Sequence, residues 1–261
     1  MLQKFLFIIY QGACMNSMKI AVLSDIHGNF WALHEVLKDI EKRKPDLIIN
    51  LGDSLYGPLN PKATFELLNS YNVLSIAGNE DRLIIENIEN ADNSGTLKYV
   101  IDNLNADAID WLYALPETQI LHCNALMCHG TPNSDTTYLL EYVSDSGIAE
   151  NDPWKIEDIL QGIDQKNIFC GHSHTPRIVK SPERLIINPG SVGLPAYDDD
   201  LPVYHKIENG HSNAHYCFVV TDNNTIETEI ISLPYNVDLA VDCAIKNNRQ
   251  DWAKWLKTGR V

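Results

Sequence analysis

Five short polar islands, each directly behind an apolar run, restrict what this chain can fold into: Asp25-Ile26-His27-Gly28-Asn29, Gly52-Asp53, Gly78-Asn79, His129-Gly130 and Gly171-His172-Ser173-His174. The runs before them, at residues 20–23, 47–51, 73–76, 125–127 and 167–170, are short and rich in aliphatic residues. Such runs, closed by Gly, Asp or His, read as buried strands of an α/β sheet, and ligands gather beyond the carboxyl ends of such strands. A single Gly-Asp or Gly-Asn pair reads as a turn. Five islands in this order read as loops from five strand ends that converge on one point.

The segments between the islands supply the rest of the architecture. Leu33, Val36, Leu37 and Ile40 keep helical spacing with charged residues between them, which predicts an amphipathic helix ending near Pro45. Asn60-Pro61 offers an N-cap and a first-turn proline for a second helix carrying Phe65, Leu67 and Leu68. Two βαβ crossovers follow. Residues 82–115 keep helical spacing and are expected to be mostly helix. Beyond them the pattern changes to strands at 119–121, 125–128, 168–170 and 185–187, and to a hairpin of 215–221 with 225–233 across Asp222-Asn223-Asn224. Helical spacing returns at 237–256. The expected fold is α/β, a four-layer α/β/β/α sandwich of two mixed sheets with flanking helices.

With 261 residues, 44% hydrophobic content and no linker or repeat, the chain reads as one domain over residues 18–261. Residues 1–17 carry no motif and are expected to be an extension outside the core. Their apolar stretch is shorter than a signal-peptide core and no basic cluster precedes it. No run approaches a membrane span in length, so no membrane partner is expected. A net charge of −15 repels polynucleotides and argues against duplex nucleic acid as a partner. A small phosphorylated substrate remains compatible, because bound dications would reverse the field locally. Six cysteines without a CxxC pair suit a reducing cytoplasm. Cys128 and Cys170 read as core residues, and strand alternation turns Cys128 away from His129.

Asp25-x-His27, Gly52-Asp53, Gly78-Asn79, His129 and Gly171-His172-x-His174 resemble the calcineurin-like metallophosphoesterase superfamily. Tyr56-Gly57-Pro58, His129-Gly130-Thr131-Pro132 and Asn188-Pro189-Gly190-Ser191-Val192-Gly193 are similar to its bacterial and archaeal branch of predicted phosphodiesterases related to diadenosine tetraphosphatases. The resemblance implies a hydrolase of phosphodiester or phosphoanhydride bonds in small molecules, with two divalent ions (Mn, Fe, Zn or Ni) as cofactors. Asp25, His27, Asp53 and His174 would hold one ion, and Asp53, Asn79, His129 and His172 the other, with Asp53 as the bridge. Two ions roughly 3.5 to 4 Å apart need a bridging carboxylate and neutral imidazoles, and a hydroxide generated there would attack phosphorus. The period-two spacing of Asp25-x-His27 and His172-x-His174 would put each pair on one face of an extended segment.

One departure from the superfamily pattern bears on catalysis. Many members carry His after the Gly-Asn pair, placed to assist the leaving group; here the sequence is Gly78-Asn79-Glu80-Asp81. Nearby cations favour an ionised Glu80 and oppose a general-acid role, which points to substrates with good leaving groups. Asp53, Asn79 and Glu80 are the candidate catalytic residues. Asn79, Arg82 and Tyr56 are the candidate substrate contacts, with a surface ion pair to Glu80 or Asp81 as the competing role for Arg82. Tyr138 and Asn29 are further candidates to shape the pocket. His34 reads as a surface or packing residue, and His122, His205, His211 and His215 lie outside the metal motifs. Two other functions stay open on the sequence: a non-catalytic metal-site scaffold that binds protein partners, and a protein phosphatase.

Overall fold

The computed structural model describes residues 17–90, 94–121, 123–222 and 225–261. Residues 1–16 of the expected extension, His122 and the hairpin turn at Asn223-Asn224 lie outside the described residues. In the first five-stranded sheet the order is Thr225–Leu233, Ala214–Asp222, Ser17–Leu23, Leu47–Asn50 and Val73–Ser75. The last three strands run parallel, and Ala214–Asp222 pairs antiparallel with Ser17–Leu23. In the second sheet the order is Thr118–Leu121, Ala125–Cys128, Asn167–Phe169, Leu185–Asn188 and Arg177–Lys180, here with the three parallel strands flanked by an antiparallel strand on each edge.

Strand alternation builds the layers. Ile20, Val22, Ile49, Leu51, Cys217 and Val219 of the first sheet pack against Leu121, Ala125, Met127, Phe169 and Ile187 of the second, so these faces meet in a dry interlayer. Ala21 and Leu23 point the other way, onto Leu33, Val36, Leu37 and Ile40 of the helix Phe30–Arg43. Leu126, Cys128, Ile168, Cys170 and Ile186 face outward onto Ile156 and Leu160, at the helix Pro153–Ile159. The result is helix, sheet, sheet, helix. Both Cys128 and Cys170 are in the outer layer, and the five described cysteines are free.

The helix Phe30–Arg43 stops as expected, with Lys44 in a left-handed cap. Asn60 caps Pro61–Ser70 by accepting from the Ala63 N–H. The long helical stretch expected over 82–115 is three helices, Asn79–Glu86, Gly95–Asn103 and Ala106–Tyr113, and the first begins inside the Gly-Asn island. Their apolar faces close over Phe65 and Leu55, which a single straight helix could not do. The stretch 237–256 likewise breaks at a left-handed Asn248 into Val237–Lys246 and Gln250–Thr258, which fold back on each other. Two short ribbons, Glu141–Ser144 with Gly147–Glu150 and Ala196–Asp199 with His205–Glu208, escape the sequence pattern because they are half-buried, four-residue pieces. Among the described residues no helix is long and apolar enough to cross a membrane.

Candidate metal centre

Parallel register ends the inner strands at one level, and the loops beyond them remain zipped side by side. Asp25 N–H donates to Gly52 O (3.0 Å), His27 N–H to Asp53 O (2.9 Å) and Gly28 N–H to Ser54 O (3.0 Å). Across the two sheets, Val192 N–H donates to Ser24 O, Gly193 N–H to Asp25 O and the Ser191 hydroxyl to Asp25 O at 2.7 Å. The loop after Leu185–Asn188 therefore stitches the second sheet to the first at the Asp25 backbone. Packing is so close here that a Cβ at Gly78 would overlap Asp53, and one at Gly171 would overlap Ser24.

Five of the seven motif residues adopt left-handed backbone: Asp25 (φ 54°), His27 (51°), Asp53 (53°), His172 (65°) and His174 (53°). This corrects the expectation that Asp25-x-His27 and His172-x-His174 lie on extended segments. Each pair still faces one centre, but through alternate left-handed residues that curl the loop around it. Such backbone is disfavoured for side chains with a Cβ, by roughly 1–3 kcal/mol per residue, and persists only where surrounding bonds impose it.

The side chains form two adjoining groups, Asp25 with His27 and His174, and Asp53 with His129 and His172, the ligand atoms within each lying inside 4.8 Å. His174 Nε2 is 3.3 Å from Asp25 Oδ1 and 3.0 Å from His27 Nε2. His129 Nε2 is 3.3 Å from Asp53 Oδ2, 3.9 Å from Asp25 Oδ1 and 3.0 Å from Asn79 Oδ1. Three rings are locked from behind: Nδ1–H of His27 donates to Tyr56 O (3.1 Å), that of His129 to Leu51 O (2.8 Å) and that of His174 to Leu194 O (2.7 Å). A carbonyl only accepts, so Nδ1 carries the proton in each ring and Nε2 is aimed at the centre. Asp25 is fully buried, and neither carboxylate oxygen has a hydrogen-bond partner. A buried charge in that state calls for cations.

Protons occupy that role when no ion is bound. Burial opposes the charge on His27, but the adjacent Glu80, Asp53 and Asp25 outweigh it and push its pKa up to about 9. His129 rises to about 10, burial again being overcome, here chiefly by Asp53. His172 is pushed down to about 4 by burial and by the charge on His129. Burial raises Glu80 to about 7, its contact with His27 working the other way. Asp53 stays below the usual carboxylate range despite its burial, because His129, His27 and His172 surround it.

Other candidates from the sequence have different places. Glu80 stands in the first turn of Asn79–Glu86 and faces His27, with Oε2 3.0 Å from His27 Nδ1. Arg82 pairs with Asp135 (2.7 Å) and Glu86 (3.1 Å) instead of Glu80 or Asp81. Tyr56 contributes its carbonyl to His27, while its ring packs against the Trp252 and Phe65 clusters. Asn29 does not shape a pocket: it caps Phe30–Arg43 and donates to Gly193 O and the Tyr235 hydroxyl while fully buried. His34 is on the surface, stacked on Phe30.

Four supporting residues were not singled out from the sequence for these roles. Asp81 is buried and accepts from Ser54 N–H (3.0 Å) and Gly78 N–H (3.2 Å), tying the Gly-Asp loop to the Gly-Asn loop. Its signal was the cap spacing from Gly78 to Asp81. The Tyr138 ring lies 4.7 Å from His172 and the Tyr197 ring 4.5 Å from His174. Their hydroxyls meet at 2.7 Å, and buried His205, outside every motif, closes the group at 2.9 Å from the Tyr138 hydroxyl.

A family model described as the calcineurin-like phosphoesterase superfamily domain matches residues 18–210. Over 255 residues the chain is 29% identical to protein MJ0912 of Methanocaldococcus jannaschii, covering 89% of this chain and 94% of that one. Its fold is similar to that of a metallophosphoesterase from Sphaerobacter thermophilus, with a TM-score of 0.69 at 20% identity over 91% of this chain and 100% of that chain. The PH1004 protein from Pyrococcus horikoshii OT3 matches with a TM-score of 0.69 at 19% identity, over 92% and 98% of the respective chains.

Proposed function

The chain belongs to the calcineurin-like phosphoesterase superfamily and is a hydrolase acting on phosphate esters, and we propose that it cleaves phosphodiester or phosphoanhydride bonds of small molecules with two divalent ions. The observation that carries this reading is Asp25, fully buried, with both oxygens unpartnered among imidazoles whose Nε2 atoms are aimed at the same centre. Carboxylates and backbone-locked imidazoles form a donor set suited to Mn, Fe, Zn or Ni. Asp25, His27, Asp53 and His174 would hold one ion, and Asp53, Asn79, His129 and His172 the other. Two such ions would supply Lewis acidity and lower the pKa of water towards neutral.

The residues around them hold and orient. Asp53 is fixed by the Glu80 N–H at Oδ1 (2.9 Å) and lies against His129 at Oδ2, which suits the shared position. Tyr138 and Tyr197 brace the His172 and His174 rings from outside. A cavity of about 590 Å³ opens beside His129, lined by Asp81, Arg82, Thr131 and Asp135 among others, a size suited to a small phosphorylated substrate. Arg82 borders it with its guanidinium already engaged, so a substrate phosphate there would compete with Asp135 and Glu86. The free cysteines fit a reducing, cytoplasmic setting.

The test is hydrolysis of bis-p-nitrophenyl phosphate by chelated protein before and after addition of Mn²⁺, with bound metal quantified in parallel. Turnover should require metal and track two ions per chain. Undiminished turnover by metal-free protein would overturn metal dependence. Inactivity towards diesters, monoesters and dinucleoside polyphosphates with all four metals would overturn the catalytic reading.

A further inference from the structure

Glu80 is in the wrong state for either a surface carboxylate or a proton donor. Its side chain is 24% exposed, yet Oε2 is buried and without a hydrogen-bond partner. Oε2 is 3.0 Å from His27 Nδ1, but the hydrogen on that nitrogen is directed to Tyr56 O, so proximity does not satisfy the oxygen. Meanwhile the Glu80 main-chain N–H donates to Asp53 Oδ1 at 2.9 Å, which fixes Glu80 next to the candidate bridge. Ligand atoms of His27, Asp53 and Glu80 form a third group within 4.8 Å, sharing His27 and Asp53 with the two groups above.

An unpartnered buried carboxylate oxygen is costly unless a cation meets it. We propose that Glu80 is a further ligand of the ion held by Asp25, His27, Asp53 and His174, and that it biases this position towards Mn²⁺ or Fe²⁺ over Zn²⁺. The proposal rests on the two-ion reading given above. Three carboxylates around one ion make a harder, oxygen-rich donor set than a site with imidazoles predominating, and hard oxygen donors suit Mn²⁺ while imidazole suits Zn²⁺. A carboxylate committed to an ion has no proton to give a leaving group. The Glu at this position therefore changes the metal and the chemistry together.

The experiment titrates metal-free wild-type, Glu80→Gln and Glu80→Asp proteins with Mn²⁺, free ion being read by electron paramagnetic resonance, and with Zn²⁺ by competition against a chromophoric chelator. Wild type should bind two ions of either metal. Glu80→Gln, which keeps the shape and removes the charge, should keep one site at wild-type affinity. At the other, Mn²⁺ affinity should fall by at least about the 10- to 100-fold that loss of an outer hydrogen-bonding partner of a ligand causes, and Zn²⁺ affinity by clearly less. Melting of the metal-free Glu80→Gln protein at or above the wild-type temperature verifies that it folds. Should it not fold, Glu80→Asp, which retains the charge but shortens the reach, carries the same expectation. Unchanged affinities in a wild type that binds two ions would overturn the proposal and leave the two-ion reading standing. Equal losses for Mn²⁺ and Zn²⁺ would place Glu80 behind His27 as a positioning residue and overturn it as well. A wild type that binds neither metal would overturn the underlying reading instead.

Discussion

Metal loading at neutral pH should release protons, chiefly from His27 and His129. In the metal-free protein the His27 pKa lies at about 9, where Glu80, Asp53 and Asp25 overcome its burial, and that of His129 at about 10, where Asp53 does so. Both rings are then protonated at pH 7, and an ion reaches either Nε2 only after displacing a proton. A pKa of about 9 lowers the apparent affinity at pH 7 by about 10²-fold, or about 2.7 kcal/mol at 1.36 kcal/mol per unit. For His129 the corresponding figures are about 10³-fold and about 4 kcal/mol. His172, pushed down to about 4, is already neutral and adds no proton. Apparent affinity at the His27 position should rise about tenfold per pH unit from pH 6 towards pH 9. Calorimetric titration of chelated protein with Mn²⁺ in buffers of different ionisation enthalpy measures the release directly, with about one proton expected from each of these two histidines. Full occupancy of both positions with no net release at pH 7, or affinities flat from pH 6 to 8, would refute the reasoning.

The same two histidines predict the pH dependence of the metal-free fold: their raised pKa values contribute stability that is complete below about pH 6.5 and is lost as pH rises through about 9 and 10, so melting temperatures of chelated protein should fall across that window while metal-loaded protein does not follow. Asp53→Asn should weaken both ions and reduce hydrolysis more than His172→Ala does; two tightly bound ions with undiminished turnover would remove the bridging assignment. Asp81→Ala should cost on the order of 2–4 kcal/mol in urea denaturation, because the buried Ser54 and Gly78 N–H groups lose their acceptor. Glu80→His should narrow the preference for aryl or anhydride leaving groups, with general-acid assistance worth up to about 10²–10⁴ in rate; equal slopes of rate against leaving-group pKa in the two proteins would contradict it.

The strand ends were legible because parallel strands buried on both faces must be apolar throughout, so an Asp or His immediately behind one marks the point where the chain leaves the core. That logic places Asp25, His27, Asp53, Asn79, His129, His172 and His174 at one end of two packed sheets without knowledge of the loops. Periodicity says nothing of backbone handedness, however. The left-handed conformations of Asp25, His27 and Asp53 are held among lateral bonds that tie residues 25–28 to Gly52, Asp53, Ser54 and Ser191, and those of His172 and His174 beside bonds from the Tyr197 hydroxyl and the Asn209 amide to their carbonyls, partners that are tens to hundreds of residues away along the chain. For the same reason Tyr197 carries no local sign of its place over His174, and the residues of the Ala196–Asp199 ribbon read as loop.

These two halves of the site have opposite thermodynamic character. The buried strands are favourable wherever they pack, whereas five left-handed residues with a Cβ and a fully buried, unpartnered Asp25 are unfavourable on their own. What keeps them in place is the scaffold around them: the Ser191 hydroxyl on Asp25 O, the three carbonyls behind His27, His129 and His174, and Asp81 across two loops. None of these groups needs to touch an ion, and each removes a freedom that a ligand would otherwise lose on binding. Substitutions in this outer set should therefore lower metal affinity through geometry while leaving the donor atoms unchanged. Loss of Glu80 would differ by removing a donor, which shows as a change in preference between Mn²⁺ and Zn²⁺ as well as a loss of affinity for both.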